Sequence, residues 1–580
     1  MPQEIEVTSP VPEERLGATT ESSRRAFGLD AVAASGIAVA AGNGPPARAG
    51  VPARRADPSE PVHTQFGSVR GTTLSGSLTR FLGIPYAAAP IGDLRFRSPR
   101  PHRGWRGVRD ATMPGPSSIQ TNAGASAWIY DSATLFPLSE DCLYLNVWTP
   151  GLRARLRPVL VFIHGGSART GSGTVGCIDG EHLAQSGDVV VVTLNYRLGA
   201  MGLLSHPTWT DPATGFAGNW GVQDQLAALG WVRKNIESFG GDPDNVTIAG
   251  QSSSAGDVRH LTLQPENRGL YDKVIISSIK LSSAQTREQA ASYTELLARR
   301  LGTSVEGLRS LPAQSLHDAE VALSGDRKAL ATLGGGRLAV IVDGRTVRDV
   351  SYFGKNSPDV PLLIGTNRNE QFIQYNLIDP TGNRVSASLP PATEDQLLPA
   401  IRAELFQNYP AGTIDPPPAE LLRDTFRAAM EESRASILPA YVLMETATEL
   451  VRRGPASHWA ASHTAQNRHG AYLYELNQPL APPGEGTPHT ADLPFEFGTF
   501  REPFLAARVG SNRTVAAVSD ALAEAWTTFA HTGSPVTGNT SSWRPYDRLS
   551  RTVADFGGPR GVTVTTDPRA QERLAFPVFL

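Results

Sequence analysis

The run from Val246 to Gly256, with the sequence VTIAGQSSSAG, constrains the fold of this chain more than any other segment. Its first five residues are typical of a buried β-strand, and residues 255–263 have a helical pattern. A strand that turns sharply into a helix needs small residues two positions before and two positions after the residue at its tip. The segment therefore predicts a strand, a tight turn and a helix, with one serine raised above the end of a sheet.

The segment allows two registers for this turn. If Ser252 stands at the tip, Gly250 meets the first requirement and Ser254 replaces the second small residue. If Ser254 stands there, Gly256 fits but Ser252 replaces the first glycine. The first register is favoured because Ser252 is the second residue beyond the strand-like run. A polar serine-rich turn without chemistry is the alternative that this segment leaves open by itself.

Beyond Thr73, apolar runs of β type alternate with helical patterns, which is typical of an α/β fold around a large central, mostly parallel sheet flanked by helices. Several runs are almost continuously apolar, as in strands that are covered on both faces. Strands are predicted at 159–164, 188–195, 246–250, 273–277, 361–365 and 471–476. Helices are predicted at 223–238 and in the segment that carries Val518, Leu522, Trp526 and Phe529 and is closed by Gly533 and Pro535. Residues 284–439 are predicted to add a helical layer over the carboxyl edge of the sheet.

The first fifty residues differ from the rest of the chain. The run SRRAF at 23–27, followed by the short apolar stretch 31–41, resembles a twin-arginine export signal. The run ARA at 47–49 has the small-x-small pattern of a cleavage site. We therefore expect residues 1–49 to be an export signal and a disordered N-terminus, and residues 50–580 to form one extracytoplasmic domain. A disordered tail that contains two arginines by chance is the alternative.

Charge and cysteine content argue against several classes of function. Lysine and arginine number 53 and aspartate and glutamate 56, so neither nucleic acid nor an anionic membrane surface is an expected partner. No segment has the length and apolarity that stable membrane insertion requires. Cys142 and Cys177 are too few for a disulfide framework or a metal site built on cysteine pairs, and a single bridge between them is the alternative left open.

Three further segments carry groups that a reactive serine would need. A serine hydroxyl becomes a good nucleophile when a base takes its proton and a carboxylate orients that base. Hydrogen-bond donors must also be positioned to stabilise the negatively charged oxygen that forms in the reaction. The run VFIHGGS at 161–167 offers backbone N–H groups after a strand, Glu370 follows the strand at 361–365, and His489 lies in a loop. Each has an ordinary explanation when taken alone: a glycine-rich turn, a solvated charge and a loop histidine.

Together these segments resemble the type-B carboxylesterase family of the α/β-hydrolase fold, which also contains cholinesterases and bile-salt-type lipases. The resemblance covers nearly all of the chain after the predicted signal. Its other motifs are RFLGIPYA at 80–87, SEDCLYLNVW at 139–148, NYRLG at 195–199, GNWGVQDQ at 218–225 and FGGDP at 239–243. This long, ordered agreement is more specific than any single pentapeptide.

The resemblance implies a serine carboxylesterase that acts on a small-molecule ester and needs no metal or organic cofactor. It implies Ser252 as the nucleophile, Glu370 as the orienting carboxylate and His489 as general base and then general acid, in the chain order of this fold. The implied oxyanion hole consists of the backbone N–H groups of Gly166, Ser167 and Ser253.

The resemblance also implies structural features and exposes departures. The implied buried ion pairs are Arg95 with Glu140 and Arg197 with Asp224.

One cysteine of a family disulfide is replaced by Ser118, so Cys142 is expected to be a free, buried thiol. The other departures are Ser167, Ser253 and Ser254 in the turn and oxyanion segments, Gln371 after the acid, and SSIK at 277–280 in place of Gln-Ser-Gly.

Two other functions remain open at this point. The fold also includes adhesion proteins that bind without catalysis, and lipases or polymer-ester hydrolases. Cholinesterase activity is not predicted, because Ser132 stands at the position of the family's choline-binding tryptophan and Trp128 is out of register with it.

Overall fold

The computed structural model of the chain describes residues 57–580 except 122–124, 132–134, 136, 153–154, 281–283, 334–337, 349–356, 387, 410–414 and 559. The predicted export signal at 1–49 lies outside these residues, and so does Ser132. None of the described helices is both long and apolar enough to cross a membrane.

Twelve of the described strands form one central sheet, and three form a small separate sheet. In the described residues the strands are β1 (Asp57–Pro58), β2 (Val62–Thr64), β3 (Gly67–Arg70), β4 (Thr72–Ser75), β5 (Leu78–Pro85), β6 (Val108–Asp110), β7 (Tyr144–Thr149), β8 (Arg157–Ile163), β9 (Val190–Leu194), β10 (Gly241–Gln251), β11 (Lys273–Ser277), β12 (Leu362–Asn367), β13 (Ala471–Asn477), β14 (Thr552–Gly557) and β15 (Val562–Thr566). The central sheet has the order β1-β4-β5-β7-β9-β8-β10-β11-β12-β13-β14-β15, and the small sheet has the order β2-β3-β6.

The centre of the large sheet is parallel and its two margins are antiparallel. All neighbours from β9 through β8, β10, β11, β12 and β13 to β14 pair in parallel. The strands β1, β4, β5 and β7 on one side and β15 on the other pair antiparallel. All six predicted strands are confirmed, and they are six of the seven strands in the parallel centre, which also contains β14. The predicted α/β-hydrolase sheet is therefore present, with antiparallel margins that the sequence pattern did not predict.

Alternate side chains of the central strands enter two cores, one on each face of the sheet. In β8, Val159, Val161 and Ile163 belong to the first core, whereas Leu160 and Phe162 belong to the second. This alternation follows from the two-residue period of a strand, and covering both faces explains why the run is continuously apolar.

Helices flank both faces of the sheet. In the described residues they are α1 (Ala125–Ile129), α2 (Glu181–Gly187), α3 (Gly199–Leu203), α4 (Trp220–Asn235), α5 (Ser253–Thr262), α6 (Arg287–Arg300), α7 (Ala313–Gly325), α8 (Arg327–Ala331), α9 (Phe372–Tyr375), α10 (Glu394–Asn408), α11 (Ala419–Glu432), α12 (Pro439–Thr448), α13 (Gly454–Gln466), α14 (Leu493–Glu496), α15 (Pro503–Val509), α16 (Arg513–Thr532) and α17 (Ala570–Leu574). Both predicted helices are confirmed as α4 and α16. The apolar stripe of α16 is buried in the second core, and Gly533 ends the helix at a φ of 78°.

A third core lies partly in the predicted helical layer at 284–439. Buried side chains of α10 and α11, which belong to that layer, pack with α12 and with Phe576 and Phe579 near the end of the chain. A π-helical turn, Glu449–Arg453, connects α12 to α13, so that the helical run continues from Pro439 to Gln466. The N–H of Gly454 donates to the carbonyl oxygen of Glu449, the five-residue spacing of a π-turn.

Candidate active site

The residues singled out in the sequence meet at the carboxyl ends of neighbouring parallel strands. The segment 164–168 follows β8, Ser252 follows β10, Ser278 follows β11, Glu370 follows β12, and His489 lies in the loop after β13. These five strands are adjacent in the order β8-β10-β11-β12-β13. In an open α/β sheet this edge is where ligands bind.

Ser252 occupies the tip of the turn between β10 and α5. Its backbone has φ 62° and ψ −122°, a conformation that costs free energy in an L-residue and presents the side chain above the sheet. Gly250 has no space for a side chain, because a Cβ there would lie 2.6 Å from the carbonyl oxygen of Ser254. Ser252 is partly exposed, and its N–H donates to the carbonyl oxygen of Ser277 across 3.0 Å.

Ser254 lies in the first turn of α5 and is completely buried. Its hydroxyl is 2.6 Å from the carbonyl oxygen of Ile163 and 2.8 Å from that of Gln251. It also accepts a hydrogen bond of 3.1 Å from the N–H of Gln251. Ser254 therefore occupies the position of the second small residue without crowding the turn, and it is engaged in structural hydrogen bonds.

A chain of hydrogen bonds joins Ser252, His489 and Glu370. The Oγ of Ser252 lies 2.7 Å from Nε2 of His489, and Nδ1 of His489 lies 2.6 Å from Oε2 of Glu370. His489 is 5% exposed and Glu370 is fully buried. With its Nδ1–H donated to the carboxylate, the imidazole has an acceptor at Nε2 for the serine proton.

The carboxylate of Glu370 is held in place by two further donors. Its Oε1 accepts from the hydroxyl of Ser278 across 2.6 Å and from the N–H of Asn367 across 2.8 Å. Burial by itself would raise the pKa of Glu370, but the contact with His489, the positive charge of Arg452 and the N–H of Asn367 hold it below its ordinary value. Glu370 is thus ionised and can stabilise a positive charge on the imidazole.

Arg452 is a group near the site that sequence reasoning missed. Its Nη2 lies 3.4 Å from Nε2 of His489, and its Nη1 donates to the carbonyl oxygen of Ser278 across 2.6 Å. Burial lowers the pKa of His489, the charge of Arg452 lowers it further, and Glu370 acts in the opposite direction. No motif marks this arginine, because it reaches the site from a helix turn that is distant in the chain.

A cluster of buried acids behind the histidine was also missed. The hydroxyl of Ser277 contacts Asp492 and lies 2.9 Å from Oε1 of Glu496, which also accepts from the hydroxyl of Tyr474 across 2.9 Å. Burial raises the pKa of Asp492, and the charge of Glu370 raises it further. Burial also raises the pKa of Glu496 well above its ordinary value, with Asp492 as the second cause. The two serines that replace the family pattern at 277–278 therefore bind carboxyl groups.

The segment after β8 lies directly against Ser252. A Cβ on Gly165 would come within 3.0 Å of the Cβ of Ser252, and Gly166 has a φ of 108°. Ser167, at φ 59°, and Ala168, at φ 53°, are left-handed residues without the freedom of glycine. No described residue accepts a hydrogen bond from the N–H groups of Gly166, Ser167 and Ser253.

A contact between side chain and backbone fixes the end of this segment. The N–H of Ala168 donates to the hydroxyl of Ser253 across 3.2 Å, so the segment is joined to the first residue of α5. His164 is buried, stacks on Tyr196 at 4.6 Å and contacts the carbonyl oxygen of Gly165 through Nδ1. Burial lowers the pKa of His164 to about 4, so this histidine is a neutral structural residue.

The implied structural features are present. Nε of Arg95 lies 2.6 Å from Glu140, and Nε of Arg197 lies 2.7 Å from Asp224, with the second pair fully buried. Cys142 is a free, buried thiol, as predicted. Trp128 is buried in the second core, and it therefore offers no exposed ring to a cation.

Comparisons with known proteins agree with this architecture. A family model described as "Carboxylesterase family" matches residues 58–572. Para-nitrobenzyl esterase of Bacillus subtilis (strain 168) is 32% identical over 520 residues, which are 88% of this chain and 97% of that protein. Phenmedipham hydrolase of Pseudarthrobacter oxydans is 30% identical over 514 residues, 87% of this chain and 96% of that protein. A solved carboxylesterase structure from Geobacillus stearothermophilus is 31% identical, with a TM-score of 0.71 over 89% of this chain and 99% of that chain.

Proposed function

The chain belongs to the carboxylesterase family and is a carboxylic ester hydrolase, and we propose that it cleaves small-molecule esters through an acyl-enzyme on Ser252. The observation that carries this proposal is the hydrogen-bonded chain from Ser252 through His489 to Glu370, at 2.7 Å and 2.6 Å. Each member has the partner that serine nucleophile chemistry needs.

In the first half-reaction, Nε2 of His489 takes the proton of the Ser252 hydroxyl as Oγ attacks the ester carbonyl. The resulting imidazolium is stabilised by the ionised Glu370 at Nδ1. The protonated histidine then gives its proton to the leaving alkoxide as the bond between the carbonyl carbon and the alcohol oxygen breaks. An alcohol leaves, and the acyl group stays on Ser252.

In the second half-reaction, His489 takes a proton from water, which attacks the acyl carbonyl. The ester bond to Ser252 breaks, the serine regains its proton from His489, and the carboxylic acid is released. In both halves the negative charge on the carbonyl oxygen is stabilised by the N–H groups of Gly166, Ser167 and Ser253. Their lack of acceptors among the described residues supports this role.

Hydrolysis of p-nitrophenyl acetate by the wild type and by the Ser252→Ala and Ser254→Ala variants tests the proposal. Ser252→Ala should reduce kcat by about four to six decades and abolish labelling by a fluorophosphonate probe, because the three residues act as a unit. Ser254→Ala should still be labelled. Undiminished hydrolysis by Ser252→Ala would falsify the assignment, and a wild type that neither turns over nor labels would identify a binding protein without catalysis.

We further propose that residues 1–49 direct export by the twin-arginine route. The support is the paired Arg24 and Arg25 ahead of a short apolar stretch. Replacement of both arginines by lysine should leave the protein in the cytoplasmic fraction, whereas export of this variant would contradict the proposal.

A further inference from the structure

Arg452 differs from the other buried arginines that surround it. The next residue, Arg453, has carboxylate oxygens of Glu445, Glu449 and Glu475 within 4.0 Å. Arg452 is only 7% exposed, yet no carboxylate among the described residues forms an ion pair with it. Its Nε also has no hydrogen-bond partner there. A buried guanidinium without an ion pair is costly unless a partner arrives from elsewhere.

The charge of Arg452 lies at the reacting centre. The same Nε2 atom of His489 contacts both the hydroxyl of Ser252 and Nη2 of Arg452. Burial lowers the pKa of Arg452, and Glu370 and Asp492 raise it without contacting the guanidinium, because Glu370 contacts the opposite ring nitrogen of His489, Nδ1, and Asp492 contacts Ser277. The guanidinium is therefore on the side of the imidazole that faces the ester.

The backbone that carries Arg452 is also unusual. Arg452 belongs to the π-turn Glu449–Arg453, and such turns occur often at functional sites. Pro455, just beyond the turn, lacks an N–H and so removes one regular helical hydrogen bond. The turn directs two successive arginines to different surroundings, Arg453 to carboxylates and Arg452 to His489.

In the absence of an anion, Arg452 opposes catalysis in two ways. Nη2–H and the hydroxyl of Ser252 compete for one lone pair on Nε2 of His489. A fixed positive charge beside Nε2 also disfavours the imidazolium that must form during acyl transfer. A carboxylate bound to the guanidinium would remove both effects, since it would accept the Nη2–H and neutralise the charge.

We propose that Arg452 binds a carboxylate of the substrate, so that the preferred substrates are anionic esters whose free carboxylate lies a few atoms from the scissile carbonyl. This inference rests on the proposed function, since it assigns the substrate class of that same site. The carboxylate belongs either to the acid part, as in a monoester of a dicarboxylic acid, or to the alcohol part, as in an ester of a hydroxy acid. In both kinds of ester the free carboxylate would bind Arg452.

Two matched pairs of esters, followed by pH-stat titration, test the proposal and distinguish the two sources. The first pair is monomethyl succinate and methyl succinamate, and the second is acetoxyacetate and acetoxyacetamide. Each pair differs only in a carboxylate or its neutral amide. The wild type should prefer the carboxylate member of at least one pair by about 10- to 100-fold in kcat/KM, the effect expected of a charge-assisted hydrogen bond. Equal kcat/KM within both pairs would overturn the proposal.

Substitutions of Arg452 test whether its guanidinium causes the preference for the carboxylate esters. Arg452→Met should abolish it, and Arg452→Lys should retain part of it because the charge persists without the planar fork. Lys280→Met removes an exposed positive charge two residues after Ser278 and should leave the preference intact. A preference that survives in Arg452→Met would overturn the assignment. Titration with a fluorophosphonate probe gives the concentration of folded active sites in each variant. The kcat/KM values can therefore be compared even when a variant is obtained in lower yield.

A binding measurement separates this inference from the proposed function. Succinate, titrated calorimetrically into Ser252→Ala, should bind about 10- to 100-fold more tightly than into Ser252→Ala/Arg452→Met. Equal affinity in the two proteins would overturn the role of Arg452, whatever the esterase assays show. Absence of hydrolysis of every ester, anionic or neutral, with succinate binding that still depends on Arg452, would instead contradict only the proposed function.

Discussion

The hydroxyl of Ser254 donates to the carbonyl oxygen of Ile163 across 2.6 Å and so joins the first turn of α5 to the end of β8. One of these elements begins directly after Ser252, and the other leads into the segment with Gly166 and Ser167. A serine in place of a small residue thus connects the two sides of the candidate site.

Replacement of Ser254 by alanine should affect stability more than chemistry. Ser254→Ala removes a buried hydrogen bond and should lower the free energy of unfolding by about 1–3 kcal/mol, measured by urea denaturation. Its kcat/KM should fall by less than about tenfold, because the hydroxyl touches neither His489 nor Glu370. A loss as large as that of Ser252→Ala would show that Ser254 takes part in the reaction.

The left-handed backbone of Ser167 predicts that glycine at this position stabilises the folded protein. Ser167→Gly removes the steric cost of a Cβ at φ 59° but adds chain entropy to the unfolded state, so we expect stabilisation of at most about 1 kcal/mol. Ser167→Val should be clearly less stable than the wild type, because a β-branched side chain is strained there. Equal unfolding midpoints for the glycine and valine variants would contradict this explanation.

Ser277, the last residue of β11, and Ser278, the residue after it, provide a matched pair. Ser278→Ala removes a hydrogen bond to Glu370 and should reduce kcat by about tenfold, since Asn367 still donates to the carboxylate. Ser277→Ala removes a contact to Asp492 and Glu496 and should change kcat much less. Steady-state kinetics on a neutral ester checks both, and equal losses would show that the contact with Glu370 is not the cause.

The acid limb of the pH profile should lie at lower pH than that of an ordinary histidine. Burial and the charge of Arg452 lower the pKa of His489, while Glu370 and Asp492 raise it. Because the base must be neutral, a lowered pKa keeps kcat/KM high at pH values where an ordinary histidine is already protonated. Arg452→Met should move this limb to higher pH, and Lys280→Met should not. A limb that moves to lower pH in Arg452→Met would contradict the assigned cause.

Sequence reasoning located the parallel centre of the sheet but missed its margins. Several of the strands from β8 to β13 contain almost continuously apolar runs because both of their faces are covered, and such runs stand out in a sequence. No residue of β4 or β15 is fully buried, so these strands lack that pattern. Their pairing depends on neighbours that are distant in the chain.

The same distinction applies to the candidate site. Ser252, Glu370 and His489 follow strand ends, so their order along the chain already placed them at one edge of the sheet. Arg452 reaches the site from a π-turn and Asp492 from the turn before α14, and the directions of both side chains depend on packing. Ser278 was noticed only as a departure from the family pattern, and the contact with Glu370 gives that departure a physical role.

The π-turn at Glu449–Arg453 places one extra residue in an otherwise regular helical run. Deletion of a single residue there would rotate one end of the run against the other by about 100°. The guanidinium of Arg452 would then leave Nε2 of His489, although every other residue of the site would remain. A change of one codon in length, without any change of residue type, should thus abolish the proposed preference for anionic esters.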